Sequence, residues 1–162
     1  MARMGAVKTI DLGWLGILNE LKKAQDSYVK VGFQQGSVTK TQRKGKRTQV
    51  ANLSMPQIAA QNEFGTKYIP ARPFMRTAVD LNLNMINNYI ERQYKLILDG
   101  KTTTDKALGL IGQMMTGLIQ KRIRQIVLPP NSARTIAIKG SSKPLIDFGQ
   151  MIQSVTYAVV NR

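Results

Sequence analysis

The sequence predicts an α+β fold in which an antiparallel sheet packs against a long central helix and shorter helices, with a long basic loop. Three observations favour this fold class: period-two segments near both ends of the chain, apolar residues at steps of three and four between them, and a cation-rich stretch without an apolar pattern. A chain of 162 residues is the size of one domain, so we treat residues 1–162 as a single unit.

The first helix and the first strand follow from hydrophobic periodicity. After Asp11, a candidate N-cap, apolar residues at helical spacing predict a short amphipathic helix that ends at Asp26. The sequence "YVKVGF" then alternates apolar with polar or small residues, so residues 28–34 are predicted to form a half-buried strand.

A basic loop interrupts the apolar pattern after this strand. Residues 35–49 cannot bury enough apolar surface to order themselves, so the loop is predicted to be mobile. DNA phosphates and an acidic protein are equally plausible contacts for its cations, and a merely solvated loop explains them as well. The cations in question are Lys40, Arg43, Lys44, Lys46 and Arg47.

Capping signals define the next helix. Ser54 and Gln57 form a capping box with Pro56 at an early helical position, and Gly65 closes the short helix "SMPQIAAQNEF". The following "TKYIPARPFM" has two prolines three residues apart, which predict a rigid extended bridge. Arg72, held between these prolines, is expected to project from the bridge toward a neighbouring subunit.

Two long helices are predicted in the middle of the chain. Apolar residues at steps of three and four indicate one continuous helix over residues 74–98, which Asp99 and Gly100 terminate. A second helix begins at a capping box from Thr102 to Asp105 and continues to about Ile126, ahead of a double proline.

The C-terminal part is predicted to contain two strands and a structured connection. Alternation in "TIAIK" (residues 135–139) and "SVTYAVV" (residues 154–160) indicates the strands. Between them, Pro144 stiffens the connection, Leu145 anchors it in the core, and one helical turn is expected at 148–153. This connection is expected to orient the last strand.

The composition argues against an enzyme. The chain has no histidine and no cysteine, and its nine acids are scattered without metal-ligand spacing, so neither a cofactor nor a metal is expected. No stretch of eighteen apolar residues and no signal peptide is visible, which predicts a protein of the cytoplasm without a membrane partner. The net charge of +15 instead suggests an anionic partner.

Three segments, "VKVGF", "IAAQNEFGTKYIPARPFMRTA" and "PPNSARTIAIKGSSKPLIDFGQMIQSVTYAVV", carry a family resemblance. In them the chain resembles the neck or tail-completion proteins of long-tailed bacteriophages, including the virion-morphogenesis proteins of Mu-like phages. The most specific motifs are Asn62–Thr66 with Ile69–Phe74, and Lys143–Asp147 with Gly149 and Ser154. The sequence departs from the family pattern at Phe148, where Thr is usual.

The resemblance implies a non-catalytic structural protein of the virion neck. Such a protein forms a homo-oligomeric ring of six or twelve copies between the head-side connector or portal and the tail terminator or tail tube. Genomic DNA would pass through the channel, and assembly would take place in the host cytoplasm. The alternative is a sequence-nonspecific nucleic-acid-binding protein that acts through the 40–47 loop. The candidate subunit-interface residues are Phe64, Tyr68, Arg72, Phe74, Lys143 and Phe148.

Overall fold

The structure is a computed structural model that describes residues 11–34, 54–140, 142–146 and 149–161. The described residues form seven helices and two strands in mixed order. These elements are α1 (Trp14–Asp26), β1 (Ser27–Phe33), α2 (Met55–Phe64), α3 (Phe74–Asp80), α4 (Leu83–Leu98), α5 (Thr104–Gln125), α6 (Ala133–Lys139), α7 (Gln150–Gln153) and β2 (Val155–Asn161).

The sheet is an antiparallel ribbon of two strands packed on the long helix α5. β1 and β2 pair from end to end, with Ser27 opposite Asn161 and Phe33 opposite Val155. This arrangement confirms the predicted α+β fold with a sheet against a long central helix. Both strands lie within one residue of their predicted positions.

The predicted strand at 135–139 is wrong, because these residues belong to helix α6. Ser132 caps the helix by accepting a hydrogen bond from the Thr135 backbone N–H (3.2 Å). Gly140, in the left-handed region at φ 69°, ends it and donates to the Ile136 carbonyl (2.8 Å). Two local caps therefore prevail over the alternating pattern of "TIAIK".

The continuous helix predicted over 74–98 is also wrong, because the chain breaks into α3 and α4 at Leu81 and Asn82. The Asn82 side-chain amide donates to the Ala78 carbonyl (2.8 Å), the acceptor that a continuous helix would offer to its backbone N–H. That N–H bonds to the Val79 carbonyl instead (3.0 Å). The break lets α3 and α4 pack separately against α5.

One core cluster joins α2, α3, α5 and the C-terminal region. Partly buried side chains of β1 pack against its edge. The chain thus builds its interior mainly from short helices laid on α5, with the ribbon closing one side. The buried members are Met55, Ala59, Phe74, Ala78, Ile119, Ile123, Ile126, Leu145, Met151 and Val155.

Gly112 permits the close contact between α5 and the ribbon. A Cβ atom at this buried position would lie 2.5 Å from Cδ2 of Tyr157 and 2.9 Å from Cγ2 of Val29. Both distances are far below van der Waals contact, so any larger residue must displace the Tyr157 and Val29 side chains.

We therefore expect Gly112→Ala to destabilise the protein by about 1 to 3 kcal/mol, the usual range for overpacking, although Ala favours a helix. Gly117→Ala on the same helix is the matched control, because no atom lies within 4 Å of its Cβ position. That variant should gain up to about 1 kcal/mol. Urea denaturation measures both, and a stabilised Gly112→Ala variant would contradict the close packing.

Helix α1 is attached to the start of α5 through polar contacts. The Glu20 carboxylate accepts from the Thr104 backbone N–H (2.7 Å), and the Thr104 hydroxyl donates to the Glu20 carbonyl (2.8 Å). One turn later, Lys23 forms an ion pair with Asp105, which also accepts from the Asn161 side chain (3.2 Å). These contacts bring α1, α5 and the end of β2 together.

The Asp105 contacts predict a pH dependence of stability. The hydrogen bond from Lys23, with a smaller one from Asn161, lowers the pKa of Asp105 below its usual value. A lowered carboxyl pKa means that the stabilisation is present above the unfolded pKa of about 4 and is lost as the pH falls through the folded pKa. Thermal melts should show wild type more stable than Asp105→Asn at pH 7, with the difference vanishing in acid. Asp80→Asn, at an exposed site, should show no such trend.

Among the described residues, no helix is both long and apolar enough to cross a membrane.

Candidate interaction surfaces

Arg72 is buried, so the prediction that it projects toward another subunit is wrong. Only 5% of the residue is exposed. Its Nε donates to the Pro129 carbonyl (2.8 Å) and its Nη2 donates to the Pro130 carbonyl (3.0 Å). Burial lowers the pKa of the guanidinium below its usual value. Arg72 therefore joins the 65–73 bridge to the segment after α5 within one protomer.

Phe74 is likewise a core residue and not an accessible interface residue. Its side chain is fully buried, and its ring meets the ring of Phe33 edge to face at 6.0 Å between centroids. Phe74 begins α3 and belongs to the core cluster, whose apolar side chains from α2, α3 and α5 account for its burial.

Glu63 and Gly65 fix the two ends of the bridge. Its buried carboxylate accepts from the backbone N–H groups of Met75 (2.9 Å) and Arg76 (3.1 Å), which satisfies two free donors at the start of α3. Gly65 turns the chain at φ 77°, where a Cβ would lie 2.9 Å from the Ala71 nitrogen. Glu63 thus ties the first motif to the start of α3, and the Arg72 backbone N–H, which donates to the Asn62 carbonyl (2.6 Å), joins the two parts of that motif.

Two candidate interface residues, one at the end of α2 and one on the bridge, are exposed. Phe64 is 72% exposed and Tyr68 is 86% exposed. A cation lies over each ring: Arg76 over Phe64 at 5.8 Å and Lys67 over Tyr68 at 5.7 Å. These aromatic rings are accessible to a partner, while the buried Arg72 fixes the backbone beneath them.

The C-terminal connection is anchored as predicted. Leu145 is 9% exposed and belongs to the core cluster, although it occupies the left-handed region at φ 60°. Asn131 donates to the carbonyls of Ser142 (3.3 Å) and Lys143 (3.2 Å), which ties the connection to the segment before α6. Lys143 is exposed, so the structure leaves its candidate interface role open.

We expect Leu145→Ala to lower the free energy of unfolding by about 2 to 4 kcal/mol, because a buried Leu is removed from the core cluster. Lys143→Ala is the neighbouring control and should change it by no more than about 0.5 kcal/mol. Chemical denaturation compares the two variants. Equal, small effects would mean that this connection does not anchor the C-terminal strand.

Other predicted contact residues lie outside the described residues. They are Phe148 of the second motif and the five basic-loop cations Lys40, Arg43, Lys44, Lys46 and Arg47. Their candidate roles therefore stay predictions.

The structure contains an open groove that the sequence did not predict. It has a volume of about 890 Å³ and lies between the outer face of the ribbon and helix α2. Lys30 and Gly32 of β1 and Ala158 and Val160 of β2 line one side. The period-two pattern of both strands was a signal for an outer face, but the position of α2 beside it was not readable from the sequence.

No group of three or more acidic residues that could hold a metal ion occurs within the part of the chain that the structure describes. No protein-family model, no curated protein and no solved structure shows significant similarity to this chain.

Proposed function

We propose that the chain is a structural protein of a bacteriophage neck, which assembles into a ring and joins the head connector to the tail. The observation that supports this proposal is the contact between two of the segments that resemble the neck or tail-completion family, one around Arg72 and one that begins at Pro129. Arg72 of the first motif binds the segment that precedes the second motif, and Phe74 and Leu145 lie in one core cluster. The resembling residues thus form one structural unit.

The exposed side chains of this unit are suited to an assembly role. Phe64 and Tyr68 present aromatic rings on a backbone that Arg72 and Glu63 hold in place. Rigid aromatic side chains contribute large contact areas at little entropy cost when subunits associate. In this role the two rings contact neighbouring copies, or head-side or tail-side subunits. The chain performs no catalytic step.

Electron microscopy of virions tests the proposal directly. A phage that lacks this protein should produce finished heads and finished tails that remain unjoined, and supplying the wild-type protein from a plasmid should restore joined particles. A double variant, Phe64→Ser with Tyr68→Ser, should fail to restore them. Leu83→Ser, an exposed apolar position on α4, is the control and should succeed. Joined particles in the absence of the protein would contradict the proposal.

A second candidate function is nonspecific nucleic-acid binding, which the net charge of +15 favours. Duplex binding by the purified protein, measured over a range of salt concentrations, tests it. If the basic loop dominates, replacement of its five cations by Gln should flatten the salt dependence and leave the melting temperature nearly unchanged. Duplex affinity that is unaffected by these replacements would remove the loop from this function.

A further inference from the structure

We propose that the groove between the ribbon and α2 binds a short, extended, acidic segment of a partner protein that carries apolar side chains at alternate positions. The groove lies on the face of the ribbon opposite α5, and its lining combines an apolar floor with cations. This inference does not depend on the neck proposal, because it concerns what the isolated protomer recognises.

The shape of the groove favours an extended chain. Small residues form its floor, namely Gly32 and Ala158 of the ribbon and the buried Ala59 of α2. One wall follows α2 at intervals of four residues, through Pro56, Ala60 and Phe64, which corresponds to roughly 12 Å of helix. About four residues of an extended strand span that length, with alternate side chains directed at the floor.

The charge of the groove favours an acidic occupant. Among the described residues that line it, Lys30 and Arg76 are the cations and Glu63 is the single carboxylate. Both Glu63 oxygens already accept backbone hydrogen bonds at the start of α3, and the side chain is 7% exposed. Lys30 lies over the Tyr28 ring at 5.5 Å, and no described carboxylate forms an ion pair with it. Arg76 pairs with Glu63 (3.8 Å), so Lys30 carries the accessible positive charge of the described lining.

A second copy of this chain and duplex DNA fit the groove less well. A copy would bring the same net charge of +15, and four of the eight described acids, Glu63, Glu91, Asp99 and Asp105, are already in ion pairs. A duplex would bring phosphates to Lys30 and Arg76, the cations of the described lining, but no apolar group to the floor. An acidic peptide with apolar side chains satisfies both features of the lining.

Fluorescence anisotropy with the full chain tests the inference. The probe is a labelled eight-residue peptide that alternates Glu with Leu or Phe; one comparison peptide replaces Glu by Lys and another replaces the apolar residues by Ser. We expect only the first peptide to bind. Lys30→Glu should weaken its binding by about tenfold, whereas Lys22→Glu, the same charge change on the exposed face of α1, should leave it within about twofold.

A groove-filling variant separates the site from general charge attraction. Ala60→Trp, at an exposed position on the groove wall, should abolish binding of the acidic peptide, and Asn88→Trp on the exposed side of α4 should not. Circular dichroism of both variants confirms that they are folded. The inference would be overturned if Lys30→Glu and Lys22→Glu weakened binding equally, if Ala60→Trp left binding unchanged, or if the acidic peptide did not bind at all. Binding of the Ser peptide, or displacement of the acidic peptide by a duplex, would also overturn it.

Discussion

Phe74→Ala should lower the free energy of unfolding by about 3 to 5 kcal/mol, the range measured for removal of a buried aromatic ring. The side chain is fully buried and packs edge to face on Phe33 in the core cluster that joins α2, α3 and α5. Truncation therefore opens a cavity that the surrounding short helices fill only in part. Urea denaturation followed by circular dichroism measures the loss.

Phe64→Ala is the matched control for this measurement. Phe64 is the same residue type, lies ten positions earlier and is 72% exposed, so its truncation should change stability by no more than about 0.5 kcal/mol. If the two variants lost similar amounts of stability, Phe74 would not be a core residue, and its earlier candidacy for a subunit interface would reopen.

Arg72→Ala should destabilise the isolated protomer by about 2 to 3 kcal/mol, because the protomer loses two hydrogen bonds that a buried charged group donates. The acceptors are the carbonyls of Pro129 and Pro130. Arg72→Lys keeps the charge but cannot reproduce two parallel donors, so we expect it to recover only part of the loss. Arg92→Ala, at an exposed position on α4, is the control and should have little effect.

Hydrogen exchange provides a second reading of the Arg72 variants. Amide protons in the bridge and in the segment after α5 should exchange faster in Arg72→Ala, because the two segments are no longer joined. In α4, amide protons should exchange at the wild-type rate. Both proteins are compared at the same denaturant concentration, under conditions where exchange occurs by local opening. If Arg72→Ala kept the full stability of wild type, Arg72 would not be the residue that joins the bridge to the segment after α5.

Several short-range signals were read correctly from the sequence, although Gly13, and not Asp11, is the N-cap of α1. The capping box of α2 was predicted from Ser54 and Gln57 alone, and in the structure the Gln57 side chain accepts from the Ser54 backbone N–H (2.9 Å). The positions of β1 and β2 were also predictable, because alternation over six or seven residues is a local property. The start of α5 was misplaced by one residue, since Thr103, and not Thr102, caps the helix.

Errors arose where a local pattern competed with contacts that the pattern does not contain. The alternation in "TIAIK" suited a strand, but Ser132 and Gly140 outside that stretch cap it as a helix. Apolar spacing suited one helix over 74–98, but the Asn82 side chain takes a backbone acceptor. The burial of Arg72 depends on carbonyls far along the chain, which no local signal reveals.

The groove was unpredictable for a related reason. Its floor residues Gly32, Ala59 and Ala158 are small and come from three separate segments, so none of them stands out in the sequence. Only the fold places them side by side. Lys30 and Arg76 were two cations among many until the structure showed which of them line an apolar surface.

The pairing of β1 with β2 constrains how the chain reaches its native state. Phe33 pairs with Val155, so the ribbon joins segments from opposite parts of the chain and closes a very long loop. Such distant pairing slows folding, because the entropy of closing the loop is lost before the strand contacts form. During synthesis β1 cannot pair with β2 until residues 155–161 have left the ribosome, and over that interval the edge that β2 later covers is open to aberrant pairing with other chains.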